Sequence, residues 1–294
     1  MIRQKEMKMN NQIVANKIGV RVSWRVSEYL GQRDDVERMI EKHGLSAALL
    51  PKSSLKKAVN RASKKVSKAD NGRFQDALPP RKICDRAGLA VYALVDETKV
   101  DEEHLTHEQT TTIRLDKTQK RVEATGLNAD AFYEEYNIYR TGITDHDIRT
   151  FCRAVIRTAR GISYNPHGHD YFVPNAYEHL VRNLDAFLKD IFVGKMYITP
   201  AIDDDDTLGV TWEFASEQIN KEIDDIQKGV QKFSKRAKCL HDKQDALDAL
   251  KEMAKMYSGM TDRAVLAEDI LEKINGTMDG IAKKIEEIEK ARAA

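Results

Sequence analysis

Cysteine is scarce: Cys84, Cys152 and Cys239 stand far apart in 294 residues and show no CxxC spacing. Such a set builds neither a disulfide framework nor a zinc knuckle, so reduced, cytoplasmic surroundings are expected. No window approaches the ~18 consecutive apolar residues of a membrane-spanning helix. The opening MIRQKEMKMNNQIV has no apolar core of a secretory signal, and none is expected. Catalytic signatures are missing too. There is no GxGxxG, no phosphate-cradling GxxxxGK, no GxSxG and no HExxH. The acidic run 203–206 lacks the spaced ligands and glycine of an EF-hand, and reads as a solvated hairpin tip. His146-Asp147, His167-Gly168-His169-Asp170, and the pair His104 and His107 are local clusters, whereas a metal site draws ligands from several elements. They read as turn and loop histidines. No enzyme, no cofactor and no metal is expected.

Charge is what the chain has in abundance. Lys, Arg, Asp and Glu make up 32% and hydrophobic residues 41%, which excludes a low-complexity chain and suits long exposed helices. At roughly 100–200 residues per domain, this length makes one large domain or two smaller ones. The formal net charge of +1 averages two unequal stretches. Residues 1–82 hold 19 basic and 8 acidic residues, and residues 83–294 hold 29 basic and 39 acidic. Either the basic stretch meets phosphate or an acidic protein, or the two stretches neutralise each other within one chain or between subunits.

Periodicity divides the chain further. Residues 1–22 alternate weakly and read as an irregular arm, with a helix from Trp24 to Lys42. Ser53 and Ser54 are good N-cap types ahead of SLKKAVNRASKKVSKA, a helix that the turn signal Asp70-Asn71-Gly72 should end. After Pro79-Pro80, strand-like runs fall at 88–95, 110–115 and 120–125, the last two forming a hairpin. Thr144 is a predicted N-cap for DHDIRTFCRAVIRTAR, which should stop at Gly161. ISYN and DYFV suggest a short hairpin, and KMYITPAI with LGVTWEF a second.

From about residue 214 the pattern is almost wholly helical. Ile219, Ile223, Ile226, Val230, Phe233, Ala237 and Leu240 keep the 4-3 spacing of a coiled-coil seam. A continuous helix over 214–257 would reach roughly 66 Å at ~1.5 Å per residue. A shorter helix with Ile270, Ile274, Ile281, Ile285 and Ile288 on its apolar face would return against it. The excess seam predicts a homo-oligomer, with Ile219, Ile223, Ile226, Val230, Phe233 and Leu240 at its interface.

Two basic surfaces are candidates for contact with nucleic acid or another polyanion. Arg149, Arg153, Arg157 and Arg160 recur at +4, +4 and +3, so one helix carries them as a stripe beside the apolar arc of Ile148, Phe151, Cys152, Val155, Ile156 and Ala159. Guanidinium there would bridge phosphate or guanine; the alternative is pairing with acidic residues such as those at 203–206. On the helix 53–69, Leu55, Ala58, Val59, Ala62 and Val66 make one face, and Lys56, Lys57, Arg61, Lys64, Lys65 and Lys68 fill the rest. Such a helix attracts phosphate or is simply a solvated face. Its apolar side is small, rich in alanine and without an aromatic anchor, so a membrane is not the expected partner.

LKKAVNRAS, GLAVYALVDE, ITDHDIR and GHDYFVP, in that order and followed by a coiled C-terminal half, resemble a family of uncharacterised bacteriophage-encoded proteins over about 33 residues. The resemblance implies a viral protein at work in the host cytoplasm and an accessory role toward host machinery, including defence complexes. It implies no catalytic residue. The expected fold is α+β and predominantly α: a basic helical region at 1–82, a small α+β domain at 83–213, and a coiled-coil hairpin arm at 214–294. The expected function is non-enzymatic contact with nucleic acid, or with nucleic-acid-bound host machinery, by an oligomer. The alternative is a protein–protein inhibitor that wraps a host defence complex with its arm.

Overall fold

Every second residue of KIGVRVSWRV turns to the same side, and Val20, Val22, Trp24 and Val26 are all buried. This segment is strand β1 (Lys17–Val26), the centre of a sheet rather than an arm or the start of a helix. The computed structural model describes residues 17–70, 81–86, 88–99, 105–165, 169–232, 237–261 and 264–293. After β1 come β2 (Leu30–Gln32), α1 (Arg33–Lys42), α2 (Leu55–Asp70), β3 (Arg81–Asp85), β4 (Leu89–Lys99), β5 (Leu105–Asp116), β6 (Arg121–Gly126) and α3 (Ala129–Thr141). Then follow β7 (Gly142–Thr144), α4 (Asp145–Thr158), β8 (Ile162–Ser163), β9 (Asp170–Pro174), α5 (Glu178–Asp190), β10 (Gly194–Ile202), α6 (Asp205–Lys232), α7 (Ala237–Met260) and α8 (Ala264–Ala293). The class is α+β, predominantly α, with a long C-terminal helical hairpin.

The three consecutive regions expected from composition are replaced by two interleaved units. The first comprises residues 1–26, 43–45 and 152–294, and the second comprises residues 27–42 and 46–151. This division dissolves the charge asymmetry. By sequence, the first unit holds 27 basic and 26 acidic residues, and the second holds 21 of each.

In the first unit the strands run in the order β10-β1-β9-β8, all antiparallel. Helix α5 packs on β1 and β10 with Val181, Leu184, Phe187 and Leu188 buried. On the opposite face Ile162 and Phe172 join a core supplied by α6, α7 and α8. KMYITPAI is indeed a strand, but its partner is β1, and LGVTWEF lies within α6. The run 203–206 is no hairpin tip: Asp204 caps α6, its carboxylate accepting from the Thr207 amide and hydroxyl, each at 2.8 Å. Gly19 allows a close approach on this side. A Cβ there would fall 2.6 Å from the Phe172 ring and closer still to the Val173 carbonyl.

Two shorter helices take the place of one rod at 214–257. α6 ends at Lys232, α7 begins at Ala237, the two pack together, and α8 packs against both. Ile219, Ile223 and Leu240 are fully buried, Val230 nearly so, and Ile226 partly, all within this one chain's core. Phe233 lies outside the described residues. Folding the seam onto itself removes from water the apolar surface that would otherwise call for a second copy. No helix among the described residues is long and apolar enough to cross a membrane.

The second unit sets α2 and α3 on a meander in the order β3-β4-β5-β6. Ala58, Val59, Ala62 and Val66 of α2 meet Tyr92, Leu94, Ile113 and Leu115 of the sheet, with Phe132 and Tyr136 of α3. A small ladder of β2 and β7 belongs to the same unit.

Ile223→Ala is expected to cost about 2–5 kcal/mol of stability, read as a lower denaturant midpoint, with the folded species unchanged in mass by light scattering. A variant of wild-type stability and half the mass would instead place the seam between copies.

Candidate nucleic-acid interface

Helix α2 begins where its sequence asks it to. The Ser54 hydroxyl accepts the Lys57 amide at 3.2 Å, and the neighbouring Ser53 hydroxyl donates to the Arg140 carbonyl at 2.9 Å. Burying Ala58, Val59, Ala62 and Val66 turns the other side to solvent. Lys57 and Lys64, seven residues apart on one line, are exposed, as is Lys65. These three make no ion pair among the described residues. The side chain of Lys68 lies outside them.

The helix's other cations are engaged within the chain. Lys56 lies 3.6 Å from Asp85, which also meets Lys82 at 3.1 Å and Lys117. Hydrogen bonds from Lys117 and Lys82 hold the Asp85 carboxyl far below the usual aspartate range. Arg61 makes a two-pronged bond to Asp147, at 2.8 and 2.9 Å. Asp147 also accepts from the Thr144 amide at 3.1 Å and hydroxyl at 2.9 Å, so Thr144 begins α4 and Asp147 reaches back to it. Burial pushes the Asp147 carboxyl up, but Arg61 and Thr144 together hold it below the ordinary range. The same pairing, opposed by burial, pushes the Arg61 guanidinium up. Arg61 is therefore a structural tie rather than a free contact.

The arginine stripe is shorter than its spacing suggests. Arg149 pairs with Asp145 one turn back. α4 ends at Thr158, and Arg160 takes the left-handed conformation at φ 55°. The amides of Arg160 and Gly161 close the helix on the carbonyls of Arg157 and Ile156, at 3.0 and 2.9 Å. Arg160 thereby leaves the stripe. Its guanidinium reaches the Ala249 carbonyl at 3.4 Å, and its own carbonyl accepts the buried Tyr257 hydroxyl at 2.7 Å. Arg153, half-buried, and Arg157, exposed, remain without an ion pair among the described residues. Cys152 is buried, as its apolar arc requires.

Among the described residues no three His, Cys, Asp or Glu side chains converge as a metal site would require. His146 is exposed, and His169 rests 5.2 Å from the Trp24 ring. His104 and His167, and the side chain of His107, lie outside the described residues. His43, not singled out by sequence, meets Asp190 at 2.9 Å. Sequence reasoning also passed over Arg25 and Lys195. They face each other across β1 and β10, and a separation of 170 positions hides that pairing from any local pattern.

Arg61→Ala should destabilise the protein by about 3 kcal/mol, because it leaves a buried carboxylate alone. The pH dependence has a definite sign. Asp147 titrates lower folded than unfolded, so its contribution is present above the ordinary value near 3.8 and is lost as pH falls through the folded one. Asp147→Asn should flatten the acid limb of the denaturant-midpoint profile. An unchanged limb would show that the pair contributes nothing.

A family model described as a family of unknown function, DUF6744, matches residues 17–287, and the chain belongs to that family. No curated protein matches the chain, and no solved structure does.

Proposed function

We propose that this member of a family of unknown function is a non-enzymatic binding protein that contacts nucleic acid through the solvent face of α2. One observation carries the reading: Lys57, Lys64 and Lys65 stand exposed without an ion pair among the described residues, while Lys56 and Arg61 on the same helix are engaged inside the chain. Nothing in the fold of α2 requires three such cations. Lysines at two-turn spacing, about 10.5 Å apart, offer point charges to successive phosphates without reading sequence. Arg153 and Arg157 in the first unit are a second, smaller source of positive charge.

The resemblance to bacteriophage proteins fits an accessory role of this kind inside a host cell. Capture of a host complex by the C-terminal arm has less support, since Ile219, Ile223, Val230 and Leu240 are already buried in the chain's own core. The reading needs no second copy of the chain.

Salt-dependent gel shifts with mixed-sequence duplex DNA and with RNA test it. Lys57→Glu with Lys64→Glu should weaken binding and flatten the log-affinity against log-salt slope, by about 0.9 per lost phosphate contact on duplex DNA. Arg153→Glu with Arg157→Glu tests the second source in the same way. Retention of the wild-type slope and affinity by the lysine pair would remove α2 as the contact.

A further inference from the structure

Pairing register sorts the residues of the first unit's sheet onto two faces. Phe172 pairs with Arg21 and with Ile162, so all three share a face, and Val20, Val22 and Trp24 take the other. Ser23, Arg25, Lys195, Tyr197 and Thr199 lie on the Phe172 face by the same alternation, since Arg25 pairs with Lys195, Ser23 with Tyr197 and Arg21 with Thr199. The helices α6–α8 cover Phe172 and Ile162 but leave the far end of that face open. Arg25, Lys195 and Thr199 are exposed there, and Tyr197 retains 49% of its surface.

Charge on this open end is unbalanced. Its carboxylate, Asp170, is taken by Arg21 through Nε at 2.8 Å and by a second, shorter bond. Lys195 holds its ammonium 4.8 Å from the centre of the Tyr197 ring. Arg25 has no ion pair among the described residues. Two cations therefore face each other across the ladder, two residues from one exposed aromatic ring on the same face.

A second aromatic is held out at the same end of the sheet. The Phe192 and Val193 amides close α5 on the Lys189 and Leu188 carbonyls, at 3.0 and 3.2 Å. In this motif the left-handed position is ordinarily glycine. Here it is Phe192, at φ 54° and 95% exposed, two residues before Gly194, which pairs with Val26. A bulky residue in that conformation is strained, and its ring gains no burial in return.

We infer that this end of the sheet is a stacking platform for single-stranded nucleic acid: Tyr197 and Phe192 stack on unpaired bases while Arg25 and Lys195 hold the adjacent phosphates. Exposed rings interleaved with cations suit unpaired bases, because every base offers a π-face and duplex stacking hides it. The inference deepens the nucleic-acid reading and rests on it, but it uses other residues in the other unit.

The experiment is fluorescence anisotropy with a labelled oligo-dT and an abasic oligomer of equal length and charge, at low salt. Wild type should prefer oligo-dT by about tenfold or more. Tyr197→Ala should erase most of that preference, and Tyr197→Phe should keep it. Phe192→Gly should reduce the preference while raising the unfolding midpoint, a combination that a merely structural residue would not produce. Lys57→Glu with Lys64→Glu should weaken both oligomers alike and leave the preference intact. Failure of the α2 reading thus appears in overall affinity, and failure of this one in the preference. Equal binding of the two oligomers by wild type, full preference in Tyr197→Ala, or no binding of either would overturn the platform. A Phe192→Gly protein that is more stable yet keeps the full preference would remove Phe192 from it.

Discussion

Strand β1 must be paired on both edges and covered on its Val20–Val22–Trp24 face, and every partner that does so is supplied more than 140 residues later. Its ladder to β9 joins residues 19–23 to 170–174, and its ladder to β10 joins residues 17–26 to 194–202. Until those pairings form, Val20, Val22 and Trp24 stay in water and the backbone groups of β1 remain solvated. Most of the segment between β1 and β9 builds the second unit, with only 43–45 and residues from 152 onward contributing to the first. Contacts this distant in sequence close late, since the loop entropy is spent before they form.

That closure also decides which charges are left over. Tracts of opposite sign along the chain are brought together inside each unit, so the balance of each unit is near zero. What survives is local. On α2 the engaged cations meet Asp85 and Asp147, and Lys57, Lys64 and Lys65 face solvent. On the first unit's sheet Arg21 occupies Asp170, and Arg25 and Lys195 are left beside Tyr197. A candidate surface is thus defined as much by which carboxylates are already occupied as by where basic residues fall. Net charge over long tracts carries little of that information.

The helical hairpin makes the same point with apolar residues. Ile219, Ile223, Val230 and Leu240 follow a heptad whether their partner is another chain or the next helix of the same one. Helices α7 and α8, both packed on α6, place the partner within the chain. Lys243 lies over Gly229 where α6 and α7 come close, and a Cβ there would fall 2.9 Å from the lysine's Cε. Periodicity reports which side of a helix is dry and says nothing of what keeps it dry.

Much that is local was legible in the sequence. The Ser54 cap of α2, the Thr144 start of α4, the β5–β6 hairpin, the buried face of α2 and the apolar seam each rest on residues within a turn or two of one another. Only the tertiary structure decided that β1 is a central strand, that KMYITPAI pairs with it and LGVTWEF is helical, and that Arg61 is tied to Asp147. It also turned Arg160 out of its stripe and set Arg25 beside Lys195. The reason is physical. Caps, turns and periodicity act over a few residues and are written in the neighbouring side chains, whereas strand partners and ion pairs depend on distant segments meeting, and no local pattern encodes which ones do.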